Sequence, residues 1–175
     1  NLKIPGDSVS CKLSAARAAE GEPIARDKNG KDTLNSSHND SYGGGVGASY
    51  IFSDGYTGLS YKGYDMEYGN PIENGAYMDV ESDRYNYVFQ KDNLSSNISS
   101  FKFDTSWTEY EHDEVEPSGE IATQYLQNTY EGKFEVTHSF INETKGVIGL
   151  DFGTRRFTKE KGGPMIANNN SEKIS

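Results

Sequence analysis

The stretch Tyr130–Phe140, which reads YEGKFEVTHSF, carries apolar residues at alternating positions. In an extended chain, one face carries four apolar residues: Tyr130, Phe134, Val136 and Phe140. The other face carries charged or hydroxyl side chains. After a short polar turn, the stretch Val147–Arg155 (VIGLDFGTR) repeats the pattern. Long strands with one apolar and one charged face are typical of a wall between two solvents. The wall of a membrane β-barrel is the leading interpretation.

The composition narrows the class of protein. The chain has 175 residues and a formal net charge of -10, so we expect no nucleic-acid partner, because phosphates would be repelled. No apolar run approaches the roughly 20 residues that a membrane helix needs, whereas a barrel strand needs only about 9–11. Cys11 is the only cysteine, which excludes an internal disulfide and a thiolate metal cluster.

The remaining segments also favour strands. Helix formers cluster only at 13–22, and Gly, Tyr, Asn, Ser and Thr dominate elsewhere. Strands are predicted at 43–53, 56–68, 83–91, 99–111, 127–141 and 145–158. Short turns alternate with longer polar connections, as in outer-membrane barrels. The predicted fold class is all-β, with antiparallel up-and-down strands forming part of a transmembrane β-barrel.

The predicted domain organisation has three parts. Residues 1–42 are interpreted as an extracellular loop with a strand stub, 43–158 as about six antiparallel barrel strands, and 159–175 as the start of a further extracellular loop. Six strands of this length do not close a barrel, and an open sheet would present two bare edges. We therefore expect the sequence to be an excerpt of a longer barrel.

Several blocks of the sequence occur in an order that is found in one protein family. The blocks are GGVGASY (44–50), GYTGLSY (55–61), YGNP (68–71), MDVESDRY (78–85), YEHDEVE (110–116), NTYEGKFEVTH (128–138) and GVIGL (146–150). Together they resemble TonB-dependent outer-membrane receptors, in particular the subgroup that includes zinc-uptake receptors. The resemblance covers about two thirds of the chain.

The resemblance implies a bacterial outer-membrane location and contact with outer-membrane lipid. It also implies a barrel of about 22 strands with an N-terminal plug, energised by the TonB system. Neither the plug nor a TonB-contacting segment is in this sequence. The expected cargo is a scarce metal ion or metal complex, such as zinc or a ferric chelate.

His112, Asp113 and Glu114 form the most ligand-like cluster. An imidazole and two carboxylates suit zinc or another divalent ion. On a strand, His112 and Glu114 share a face while Asp113 points away. The resemblance implies a carboxylate ligand at Glu114, with further ligands from the plug and a distant loop. The alternative is a hydrated loop entrance lined with acids.

One departure from the family leaves the cargo open. Zinc-type members carry a long His-rich insertion after the block that corresponds to YGNP, whereas residues 70–77 are short and contain no histidine. A ferric chelate, another metal complex or an organic ligand therefore stays possible beside zinc.

No catalytic motif is present, so we expect that the protein is not an enzyme. The rival interpretation is a soluble or surface-anchored β-barrel ligand-binding module with no transport role. In that case the apolar face would point into a packed core.

Overall fold

A computed structural model of the chain describes residues 3–4, 7–20, 36–140, 144–162 and 169–174. These residues form one antiparallel sheet of nine strands, in which each strand pairs with its neighbours in sequence. The strands are β1 (Lys3–Ile4), β2 (Asp7–Glu20), β3 (Asn39–Phe52), β4 (Gly55–Gly69), β5 (Tyr77–Asp92), β6 (Ile98–Val115), β7 (Ile121–Phe140), β8 (Thr144–Lys161) and β9 (Asn169–Ile174). The predicted all-β, up-and-down fold is confirmed. Within the described ranges, no helix is long and apolar enough to cross a membrane.

The register places the residues identified in the sequence on two distinct faces. Tyr130 on β7 lies opposite Trp107, which lies opposite Tyr85 and, one strand further, Tyr61. Residues in direct register point to the same side of a sheet. We call the side of Tyr130 the apolar face and the opposite side the polar face. The prediction that each strand separates these two kinds of side chain is confirmed.

The apolar face has no packed core against it in the described part of the chain. Ile148 is 63% exposed and Leu150 is 46% exposed, although both are large and apolar. The buried apolar side chains among the described residues are those of Ala76, Val80 and Val115. A sheet that leaves its apolar side chains uncovered has the character of a barrel wall rather than of a sandwich.

The interpretation of residues 1–42 as a loop is wrong for Asp7–Glu20, which form β2. This strand pairs with β3 from Ser8↔Ile51 to Glu20↔Asn39. The alanines at 15–19 favour a helix locally, but pairing with the neighbouring strand overrides that propensity. Residues 21–35 lie outside the described ranges.

Two predicted loops are shorter than the sequence suggested. The predicted connection 112–126 is largely strand, because β6 runs to Val115 and β7 begins at Ile121. Likewise, β8 continues to Lys161, and β9 lies within the predicted terminal loop 159–175. Polar side chains at these positions resemble a loop in sequence, but they alternate between the two faces of the paired strands.

The connections define the two ends of the sheet. Residues 70–76 and 116–120 join strands at one end, which we call the outer end, and residues 53–54 and 93–97 join strands at the other. At the outer end, Gly75 and Gly119 have φ values of 89° and 84°, which glycine adopts without steric cost. The amide of Gly75 donates to Ser36 Oγ at 2.8 Å. This hydrogen bond joins the loop 70–76 to the residues just before β3.

Candidate functional site

His112 and Glu114 lie on the polar face, close to the outer end of β6. His112 lies opposite Val80 on β5 and Tyr125 on β7, and Glu114 lies opposite Met78 and Thr123. Both side chains therefore point to the side of the sheet opposite Tyr130. The geometry expected from the sequence, in which these two residues share a face, is what the structure has.

Aromatic rings surround the imidazole of His112. Its centroid lies 5.8 Å from that of Tyr125, 6.4 Å from that of Tyr110 and 6.5 Å from that of Tyr68. Tyr68 belongs to β4, so the ring of His112 reaches across Val80, which is 4% exposed. The rings hold the imidazole in place at the edge of the polar face.

The two ring nitrogens of His112 have different surroundings. Nδ1 lies 3.3 Å from the hydroxyl oxygen of Tyr110. Nε2 is buried and has no hydrogen-bond partner among the described residues. A histidine ligand commonly donates its second N–H to a neighbouring acceptor, which fixes the tautomer and leaves the other nitrogen for the metal. Tyr110 can be that acceptor for Nδ1, and Nε2 is then the donor atom available to a metal.

Asp113 lies on the opposite face of the sheet from His112 and Glu114. Gln124 Nε2 donates to its Oδ2 at 3.4 Å, and Asp79 lies directly opposite it on β5. Burial is the main cause that raises the pKa of Asp113, and the charge of Asp79 adds to it. A single ion on the polar face can therefore take donors from His112 and Glu114 but not from Asp113.

The described residues do not complete a metal site. Among them, no group of three or more histidine, cysteine, aspartate or glutamate side chains could hold a metal ion. A site built on His112 and Glu114 needs donors from elsewhere, as the family resemblance implies. Metal binding by His112, Asp113 or Glu114 stays a prediction.

On the polar face below this site, positively and negatively charged side chains lie opposite one another on neighbouring strands. Lys133 lies between Asp104 and Asp151 in direct register, and Lys102 lies opposite Glu135. Opposite charges in register attract one another across the strands. These residues line a cavity of about 580 Å³ on the polar face. Such a surface suits water or a polar partner rather than hydrocarbon.

Toward the outer end, the apolar face carries carboxylates instead of apolar side chains. The sequence analysis did not predict this. Beyond the aromatic residues, carboxylates occupy three consecutive levels in direct register. They are Asp83 and Glu109, then Asp65, Glu81 and Glu111, then Glu67, Asp79 and Asp113. The signal in the sequence was the acidic residue at every second position on β5 and β6, which continues the alternation of the apolar face.

Like charges in direct register disfavour the sheet. Burial and the charges of Asp65 and Asp83, with other neighbouring acids, raise the pKa of Glu81. The acids around His112 thus lie on paired strands, and the loop at this point of the sheet is confined to 116–120.

Comparisons with known proteins support the fold. The chain is similar to a solved structure named Copper transporter OprC, with a TM-score of 0.68 and 17% sequence identity. The similarity covers 85% of this chain and 24% of that one, so this chain corresponds to about a quarter of the neighbour. No protein-family model matches the chain, and no curated protein matches its sequence. At this identity the similarity shows the fold alone, that of an antiparallel β-barrel wall.

Proposed function

We propose that this chain forms part of the barrel of a TonB-dependent outer-membrane receptor that imports a scarce metal ion or metal complex. The apolar face contacts outer-membrane lipid, and the polar face lines the lumen. The TonB system acts on such a receptor through its plug domain. The cargo passes the outer end of the polar face.

The observation that carries this proposal is the segregation of the two faces over consecutive strands. Exposed apolar residues such as Leu59, Ile148 and Leu150 lie on one side of the sheet. The charged residues around Lys133 lie on the other side. An exposed apolar face on a long, uncovered sheet needs a nonpolar solvent, and a charged face needs water. The similarity to a transporter structure supports the same assignment.

The lumen-facing pair His112 and Glu114 supports a metal cargo. Imidazole and carboxylate are donors that zinc accepts, and imidazole also suits copper and iron. The family resemblance favours zinc or a ferric chelate, whereas the structural neighbour is named a copper transporter. The buried, unpartnered Nε2 of His112 is the donor atom that we expect to contact the metal or its complex.

Metal titration of the full receptor tests this proposal. We expect isothermal titration to show binding of at least one of zinc, copper or a ferric chelate, with the affinity reduced about tenfold or more by Glu114→Gln. Changes of this size are usual when a charged group loses its partner. His112→Gln should lower the affinity for the same metal.

Asp113→Asn is the matched control, because Asp113 belongs to the same strand but to the opposite face. We expect this variant to bind as the parent does. An equal loss in Asp113→Asn and Glu114→Gln would contradict a site on the polar face. Unchanged metal affinity in both His112→Gln and Glu114→Gln would show that this end of β6 does not contact the cargo.

The rival function, a soluble binding module without transport, is tested by the state of the protein in water. An exposed apolar face predicts that the chain requires detergent or lipid to stay dispersed. A folded monomer in detergent-free buffer, measured by light scattering and circular dichroism, would contradict the membrane assignment and favour the module.

A further inference from the structure

We propose that residues 36–38 form a strap that holds the loop 70–76 and, through Tyr68, fixes the imidazole of His112. The strap itself is a feature of the fold, whereas its importance for the cargo rests on the proposed function. In this scheme Ser36 and Gly69 are positioning residues, because they act on His112 through Tyr68.

The side chain of Ser36 bonds to two residues of the loop 70–76. Its hydroxyl donates to Asn74 Oδ1 at 3.1 Å and accepts from the amide of Gly75 at 2.8 Å. Ser36 has a φ of 53°, which is uncommon for a residue other than glycine. A conformation of this kind persists when the surrounding structure fixes it. The two hydrogen bonds therefore hold Ser36 in a set position beside the loop.

The strap also closes over Gly69, the last residue of β4. The amide of Gly69 donates to the carbonyl oxygen of His38 at 2.9 Å, and His38 Nε2 lies 3.1 Å from Glu67 Oε1. A Cβ atom at Gly69 would come within 2.2 Å of the carbonyl oxygen of Ser36. Gly69 has a negative φ, so the close approach of the strap, and not the backbone conformation, excludes a side chain there.

The loop 70–76 is closed on itself and contacts a second outer connection. The amide of Asn70 donates to the carbonyl oxygen of Ala76 at 2.9 Å, which joins the two ends of the loop. A Cβ atom at Gly75 would lie 3.2 Å from Cβ of Pro117, which belongs to the connection between β6 and β7. The strap and these two connections therefore form one contiguous unit at the outer end.

Tyr68 connects this unit to the candidate site. It precedes Gly69 on β4 and lies on the polar face, opposite Met78. Its ring meets that of His112 edge to face, with the centroids 6.5 Å apart. The direction of a strand side chain follows that of its backbone, so a fixed Gly69 also fixes Tyr68. The strap thereby holds one of the three tyrosine rings around the imidazole.

Amide hydrogen exchange of the full receptor in detergent, measured residue by residue by fragmentation mass spectrometry, tests the strap. Ser36→Ala removes the hydroxyl and keeps the Cβ atom. We expect exchange about fivefold faster at Gly75, which loses its acceptor; this corresponds to about 1 kcal/mol, the usual net contribution of one hydrogen bond. The amides of Gly69, Asn70 and Ala76 keep their acceptors, but they should speed up by a similar factor because the unit opens as a whole.

Ser95→Ala is the matched control for this exchange experiment. Ser95 Oγ accepts from the amides of Asn97 and Ile98 in a connection at the other end of the sheet. Its loss should speed up exchange at that connection and leave the strap unchanged. Faster exchange at Gly75 alone in Ser36→Ala would overturn the inference that the strap and the loop form one unit.

Chemical modification of His112 tests the step from the strap to the candidate site. Nε2 of His112 is buried, so we expect slow modification of the parent by diethyl pyrocarbonate, counted by mass spectrometry. Gly69→Ala displaces the strap and should raise this rate about fivefold, in line with the change in exchange. Ser36→Ala should raise the rate in the same direction. Gly153→Ala is the matched control, because a Cβ atom there meets its nearest neighbour at 3.3 Å.

An unchanged rate of His112 modification in both Ser36→Ala and Gly69→Ala, in receptors whose urea midpoint shows that they are folded, would overturn the positioning role. Neither measurement uses a metal. A strap that fails these tests would leave the proposed function to its own metal titration. A receptor that passes them but binds no metal would keep the strap and lose the proposed cargo.

Discussion

The phenyl ring of Phe152 covers Gly132, which lies directly opposite it on the neighbouring strand. A Cβ atom at Gly132 would come within 2.1 Å of Phe152 Cζ, so the ring occupies the space that a side chain would fill. The ring shields the bare backbone of the glycine on the apolar face. Glycine is needed there for packing and not for an unusual backbone conformation.

We therefore expect Gly132→Ala to destabilise the sheet by about 1–3 kcal/mol, the usual cost of overpacking a filled position. The measurement is the urea midpoint of unfolding of the chain in detergent. Gly153→Ala is the matched control, because a Cβ atom there meets its nearest neighbour, the Tyr130 carbonyl oxygen, at 3.3 Å. Equal midpoints for the parent and Gly132→Ala would show that Phe152 moves aside freely.

Trp107 provides a direct test of which face contacts lipid. It is the only tryptophan of the chain, and it lies between Tyr85 and Tyr130 on the apolar face. We expect its fluorescence to be quenched by lipids brominated along the acyl chain and to be little affected by aqueous iodide. Strong quenching by iodide without quenching by brominated lipid would contradict the assignment.

The carboxylates at the outer end predict a stability that falls as pH rises. Burial and neighbouring acids raise the pKa of Glu81, and burial chiefly raises that of Asp113. The folded state therefore binds protons more tightly than the unfolded chain. Its stability is greatest below the ordinary pKa values of 4.5 and 3.8, and it is lost as pH rises through the raised folded values.

The measurement is thermal unfolding between pH 4 and pH 7 in one detergent. Glu81→Gln should raise the stability at pH 7 and flatten the dependence on pH, and added NaCl should raise the stability of the parent by screening. The control is Glu73→Gln, in the loop 70–76 away from the register of carboxylates. A parent that becomes steadily more stable as pH rises would contradict the prediction.

The pairing of β2 with β3 can be tested with the native cysteine. Cys11 lies directly opposite Ala48, so Ala48→Cys places two thiols in cross-strand register. We expect a disulfide to form on mild oxidation, because directly opposed residues have Cβ atoms about 4.5–5.5 Å apart, close to disulfide geometry. The shift in mobility on a non-reducing gel measures it.

Gly47→Cys is the control for this crosslink. Its side chain would lie one residue away and on the opposite face, so we expect no disulfide with Cys11. Crosslinking of Gly47→Cys but not of Ala48→Cys would show that the register is shifted by one residue.

The sequence by itself determined the strand class and the separation of the two faces. The alternation in Tyr130–Phe140 is a local property, because successive side chains of a strand point to opposite sides whatever the strand pairs with. For the same reason, the shared face of His112 and Glu114 could be predicted, and so could the opposite orientation of Asp113.

Only the tertiary structure decided where strands begin and which side chains meet across them. Asp7–Glu20 has the local preferences of a helix or loop, and it became β2 because a neighbouring strand supplies its hydrogen-bond partners. The acids of β5 and β6 resemble hydrated loops until the register brings Glu81 opposite Asp65 and Glu111. The alternation of apolar and polar residues within one segment does not show which other segment it pairs with. For that reason the three levels of carboxylates in register appear only in the folded sheet.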